Sequence, residues 1–185
     1  MEVKGTAVKT IPEFVAKKFP NEFDAWLESL PVESRQFMTD RISMTNWYPL
    51  ESALIIPTRK VGETFFKDIQ KGAYEMGVYS SEQAIKGIYK MLVLVSSPSF
   101  IVNRTSSIIS NYYRPCKMDI TKRSKEMAII SMLEFPTPDI AVDYRIFGWI
   151  KNTIEVSKFK NPKVEILKSM GKGDATTEYL IQWAE

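Results

Sequence analysis

The spacing of apolar residues changes near Pro115. Before it they recur every three or four positions, as on a helix face; after it they alternate, as on a half-buried strand. A short opening strand around Val3 leads to a helix over Glu13–Phe19, with Pro12 in its first turn, where the missing N–H is harmless. Phe23, Trp26, Leu27 and Leu30 predict a second helix over Glu22–Leu30, stopped by Pro31. A third covers Val32–Thr39, and Asp40–Asn46 is a polar connector. Trp47-Tyr48-Pro49-Leu50 leads into a helix that Pro57 breaks or kinks. Helical spacing resumes through Val61, Phe65, Phe66, Ile69, Ala73 and Met76, and Gly77 reads as its end. Ser80 reads as the cap of another helix, with Gln83 closing a capping box and Ile85, Ile88, Tyr89 and Leu92 on one face. Ser97 and Pro98 then open a last helix through Ile101, Ile108, Ile109 and Tyr112.

Beyond Pro115, Lys117–Lys122 and Glu126–Phe135 read as paired strands around a turn at Arg123-Ser124-Lys125. Asp139–Ser157 is a helix, Lys163–Met170 a strand, and Thr176–Ala184 a closing strand with Tyr179, Ile181 and Trp183 on one face. The class is α+β: a helical N-terminal layer (1–114) packed on a C-terminal antiparallel sheet with one intervening helix, the hairpin–helix–hairpin of 115–185. No repeat or linker divides the chain, so 1–185 is expected to be one domain.

Composition fits a folded soluble protein, with 44% hydrophobic and 25% charged residues. It also removes whole classes of chemistry. The chain has no histidine, which excludes the common catalytic triads, histidine-containing zinc sites and histidine-ligated haem. The single cysteine, Cys116, can form neither an internal disulfide nor a thiolate cluster. Net charge is only +3, and the lysine and arginine runs after Arg114 read as a solvated face, so no nucleic-acid partner is expected. No apolar run follows Met1–Gly5 and no run of 18 apolar residues occurs, so no signal peptide, no membrane span and a cytoplasmic location are expected.

Few residues invite a specific chemistry. Gly171-Lys172-Gly173-Asp174 lacks the phosphate-loop pattern and lies between strands, so it reads as a turn. Cys116 has no histidine to activate it and reads as a structural thiol. Asp139 and Asp143 share a helical face but have no further ligand at metal spacing; they read as acidic residues complementing a helix dipole. No catalytic residue, metal or cofactor is expected. The aromatics of the helical half serve either as core packing or as the wall of an apolar pocket. On the pocket reading, the helices around Trp47–Phe66 and Tyr89–Tyr112 face the strand Ala128–Leu133, with Trp47, Tyr48, Phe65, Tyr89, Phe100 and Tyr112 contributing.

The opening Val3-Lys4-Gly5-Thr6-Ala7-Val8 is similar to the start of H-NOX (haem–nitric oxide/oxygen) domains. Trp47-Tyr48-Pro49-Leu50 and Ser97-Pro98-Ser99-Phe100 through Tyr112-Tyr113 resemble a bacterial family of H-NOX-like proteins that lack the haem histidine. Phe147-Gly148-Trp149-Ile150, and Gly173-Asp174 followed by Tyr179-Leu180-Ile181, look like the 4-vinyl reductase small-molecule-binding domain, which shares its fold with H-NOX and TRAPP transport-particle subunits. The resemblance spans nearly the whole chain and implies that scaffold. It does not carry haem over, because H-NOX domains use a proximal histidine and a Tyr-x-Ser-x-Arg motif, and this chain has neither. Nor does it carry over the cysteines near the closing strand of 4-vinyl reductase domains or the acylated cysteine of TRAPP subunits. The expected function is a non-enzymatic small-molecule-binding or sensory, signalling domain, haem-independent, with an apolar small molecule or lipid in its pocket. The alternative is a protein-interaction scaffold of TRAPP-like fold with a filled core, taking a protein partner or forming a homodimer.

Overall fold

The computed structural model describes residues 1–86 and 97–184. Strands β1 (Glu2–Lys4), β2 (Trp47–Pro49) and β3 (Tyr113–Arg114) form a small antiparallel sheet in the order β2-β1-β3, with Val3 opposite both Tyr48 and Tyr113. It gathers the start of the chain, the middle of the helical half and the entry to the C-terminal half at one place. Trp47–Pro49 is therefore a strand before it leads into a helix.

Helix α1 (Gly5–Lys18) begins eight residues before the expected Glu13, and Pro12 lies inside it. The stripe Ala7, Val8, Ile11, Phe14 and Val15 is buried and passes straight through Pro12. Burying that stripe outweighs the ~3 kcal/mol an interior proline costs. Helices α2 (Phe23–Glu28) and α3 (Val32–Thr39) follow the predicted pattern, Trp26 and Met38 facing the core.

Pro57 does not break its helix. Residues 51–66 run as one rod, in which α4 (Ile56–Val61) is flanked by wide i→i+5 turns at Glu51–Ile55 and Gly62–Phe66. The wide turn before Pro57 moves its ring away from the carbonyl it would strike in a regular helix. The rod ends at Lys67, in the left-handed region at φ 54, and Asp68 caps the next helix by accepting from the Gln70 and Lys71 N–H groups.

That helix, α5 (Ile69–Lys86), runs through both Gly77 and Ser80. The sequence pattern makes Gly77 a terminator and Ser80 a cap; both are mid-helix and buried. A Cβ on Gly77 would stand 2.1 Å from the Arg145 carbonyl oxygen, and one on Gly148 would stand 2.2 Å from that of Tyr74. The two glycines let α5 cross α7 (Ile140–Glu155) backbone to backbone, and Ser81 shares a 2.9 Å hydrogen bond with Thr153 at the same crossing.

Helix α6 (Pro98–Ser110) starts as predicted, with the Ser97 hydroxyl accepting from the Phe100 N–H. After it come β4 (Lys117–Arg123), β5 (Met127–Glu134), α7, β6 (Lys160–Lys168) and β7 (Thr177–Ala184). The four strands form an antiparallel sheet in the order β4-β5-β7-β6, Ile130 opposite Tyr179. Alternate residues Ala128, Ile130 and Met132 on β5, and Tyr179, Ile181 and Trp183 on β7, are buried, the period-two pattern of a half-buried sheet. One apolar cluster joins the helical half to this sheet.

Candidate functional site

Helix α7 carries an arginine in the middle of its buried stripe. Ala141, Arg145 and Trp149 follow one another at four-residue steps, and Arg145 is 3% exposed. The face that buries apolar side chains against α1 and α5 thus also buries a guanidinium. Its Nη2 donates to the Ala7 carbonyl (3.3 Å) and the Thr10 hydroxyl (3.2 Å), and its Nη1 to the Thr58 hydroxyl (3.4 Å). All three acceptors are neutral, and the distances exceed the 2.7–2.9 Å usual for an ion-paired N–H donor. Among the described residues no carboxylate forms an ion pair with it. Burial draws its pKa down to about 10, with the nearby Tyr113 phenol acting the other way. The side chain stays protonated at neutral pH.

Arg145 lines a cavity of about 30 Å³ between α1, α5, α6 and α7. Ala7, Gly77, Ser80, Ile108, Ile109, Ile146 and Trp149 form much of the wall, with Tyr112 and Tyr113 where α6 passes into β3. Tyr113 is buried edge-on to Phe135, and burial pushes its phenol up to about 12 despite the Arg145 charge, so it faces the cavity neutral. The volume admits about two water molecules. An open groove of about 870 Å³ also runs between α1 and the 40–45 loop, edged by charges of both signs, Lys9, Glu13, Asp40 and Arg41.

Asp139 and Asp143 precede Arg145 on α7 by six and two residues. Asp139 is the N-cap, accepting from the Ala141 N–H at 2.8 Å, and pairs with Arg59 of α4 at 2.8 Å. Asp143 is wholly buried and saturated. Its oxygens accept from the hydroxyls of Ser169 (2.5 Å) and Thr177 (2.9 Å) and from the Gly171 N–H (2.9 Å). Burial raises its pKa, against the opposing effect of those three donors. The pair is thus more than dipole complement: it pins α7 to α4 and to the β6–β7 turn. No group of acids or thiols able to hold a metal occurs among the described residues.

The residues expected to line a pocket are spread over the molecule. Tyr112 lines the cavity. Trp47 lies in the small sheet between two cations, Lys4 Nζ at 4.7 Å and the Arg114 guanidinium at 4.1 Å from its ring. The Tyr48 hydroxyl accepts from the Ser43 N–H, and its ring meets Phe37 edge-on. Phe65 stacks on Phe19 at 4.0 Å. Phe100 is 49% exposed on α6. Tyr89 lies outside the described residues. Ala128–Leu133 belongs to the sheet core and contributes no residue to the cavity wall. Cys116 is half-buried, its thiol pushed up to about 12 by burial and then by Glu134. Sequence reasoning passes over Arg145, although an arginine four residues from both Ala141 and Trp149 on an otherwise apolar stripe is a visible signal.

No family model matches the sequence, and no curated protein is similar to it by sequence. Solved structures are similar in fold. The H-NOX protein of S. oneidensis in its Fe(II)NO state superposes with a TM-score of 0.72 at 13% identity, covering 98% of this chain and 99% of that one. The unliganded Fe(II) H-NOX protein of K. algicida gives 0.70 at 14%, covering 98% and 97%. The fold is that of the H-NOX proteins. A point mutant of the T. tengcongensis H-NOX protein gives 0.69 at 16%, covering 98% of each chain. At these identities the H-NOX likeness concerns the path of the backbone. No helix among the described residues is long and apolar enough to cross a membrane.

Proposed function

We propose that this chain is a non-enzymatic, small-molecule-binding domain of sensory type, a single unit over 1–185 and cytoplasmic, whose ligand site is the cavity at Arg145. The observation that carries the reading is a buried cation without an ion-pair partner among the described residues, set in the wall of a small cavity. A buried charge costs several kcal/mol unless it is paired, and a perturbed ionisable group beside a cavity is a functional-site candidate. Among the described residues the cavity wall holds no convergent nucleophile–base pair, which supports binding over catalysis.

The similar solved structures are H-NOX proteins described in Fe(II) states and, in one case, through haem distortion. Haem does not fit the residues of this chain. There is no histidine, the Cys116 thiol is held far from its thiolate form, and the cavity is a tenth of the ~300 Å³ at which cofactor pockets begin. The ligand on this reading is small.

Mass spectrometry of compounds released from gently purified protein, with thermal melts against a panel of small ligands, tests the proposal. Ala7→Val adds two methyl groups at the cavity wall and is expected to abolish any ligand-induced rise in melting temperature. A protein that releases nothing and responds to no small compound overturns the reading. The small cavity volume favours one second reading, a filled-core interaction scaffold. Light scattering that detects a second copy or a bound protein partner, together with no ligand shift, would favour it.

A further inference from the structure

Resting on the cavity as the ligand site, we infer that its ligand is a small carboxylate-type anion of three or four non-hydrogen atoms, of formate or acetate size, held by Arg145. The guanidinium has five N–H donors in a planar fork. Its contacts with described residues are three long bonds to neutral oxygens. One of these goes to Ala7, which itself lines the cavity, and the neighbouring phenol of Tyr113 lines it too. The guanidinium therefore reaches a residue of the cavity wall. The acids of the same helix and its cap are committed elsewhere, Asp143 to Ser169, Gly171 and Thr177, Asp139 to Arg59, and Glu155 to Lys151. A carboxylate would give the fork the two short, parallel, charge-assisted bonds that no described residue supplies, and would pair the buried charge.

The rest of the wall sets size and shape. Ile108, Ile109, Ile146 and Trp149 are apolar, so they accept a hydrogen or methyl group but offer nothing to a second charge or hydroxyl. A volume of about 30 Å³ admits one carboxylate with at most one carbon beyond it. Ser80 and the neutral Tyr113 supply hydroxyls that can donate to an anion. The other candidates carry less. Asp143 already has its donors, and the groove beside the 40–45 loop is edged by both signs of charge.

The test uses the full chain with labelled isoleucine methyl groups. Sodium formate and acetate are titrated against formamide, acetamide and butyrate, with chloride holding ionic strength constant. The ceiling on binding energy per ligand atom places Kd no tighter than roughly 0.04 mM for acetate and roughly 0.5 mM for formate. Formate and acetate are expected to shift the Ile108, Ile109 and Ile146 methyl signals saturably, the amides not at all, and butyrate at least tenfold more weakly. Arg145→Gln should weaken acetate at least tenfold. The comparison of acid with amide in the unaltered protein stands whether or not that variant folds. If the amides bind as tightly as the acids, the cavity is a ligand site but the anion inference is wrong. If neither class shifts these methyls, the anion inference fails, and the cavity reading falls with it when the ligand-panel melts are flat as well. If chloride alone produces the same shifts, the inference fails as an unspecific ion effect.

Discussion

Gly148→Ala tests the packing of α5 against α7 beside the cavity. A Cβ there would lie 2.2 Å from the Tyr74 carbonyl oxygen, 3.0 Å from its carbon and 3.1 Å from the Val78 nitrogen. All three obstacles are backbone, so no side chain can swing aside. A normal carbon–oxygen contact requires α5 and α7 to separate by roughly 1 Å at their crossing. Overpacking of this kind costs about 3 kcal/mol, while exchanging glycine for alanine inside a helix gives back about 1 kcal/mol. The net loss is about 2 kcal/mol, or about 4–8 °C in melting temperature for a domain of this size. Urea unfolding followed by far-UV circular dichroism measures it. Gly77→Ala meets the reciprocal contact, 2.1 Å from the Arg145 carbonyl oxygen. Because both substitutions push the same helices apart, the double variant should lose less than the sum of the two. Gly173→Ala is the control: its φ is +99° with nothing within 4 Å, so backbone strain alone should cost about 1 kcal/mol. A Gly148→Ala protein as stable as the parent would refute the close-approach argument.

Asp143→Asn turns one carboxylate oxygen into a donor facing the Ser169 hydroxyl and Gly171 N–H; a loss of about 1–3 kcal/mol is expected in urea unfolding. Because burial raises the Asp143 pKa in the folded state, its contribution to stability is full below the ordinary value of 3.8 and is lost as pH rises through the folded value. The asparagine variant should lack that fall, and parallel pH–stability curves for the two proteins would contradict it. Cys116, with its thiol near 12 rather than 9.0, should be alkylated by iodoacetamide at pH 8 roughly a thousandfold more slowly folded than unfolded; equal rates would mean an accessible, ordinary thiol. Titration with haem should give no stoichiometric complex with a sharp Soret band, and a tight complex would show that a residue other than histidine can ligate the iron here.

Elements specified by local chemistry were legible from the chain. The Ser97–Pro98 start of α6, the hairpin around residues 123–127 and the alternating Tyr179, Ile181 and Trp183 depend on caps, turns and period within a few residues, and all lie where the sequence puts them. The misreadings fall where a local signal has two meanings. Gly77 looks like a helix end because glycine ends helices; it is mid-helix because a carbonyl from Arg145 occupies the space a side chain would need. Ser80 and Ser81 look like a cap and are buried against α7, where Ser81 bonds Thr153. Pro12 and Pro57 look like boundaries, yet an apolar stripe in one case and a wide turn in the other carry the helix through.

For the site the division is sharper. The sequence alone removes histidine chemistry and thiolate clusters, since residues that are absent cannot be supplied by folding. It also contains Arg145, four residues from Ala141 and Trp149. Only the tertiary structure decides that this arginine is buried, that Asp139 and Asp143 turn to other partners, and that α1, α5, α6 and α7 leave a small space beside it. Burial and pairing are properties of helices meeting at long range, and a single helix's periodicity cannot say whether an acid from elsewhere will arrive to meet the charge.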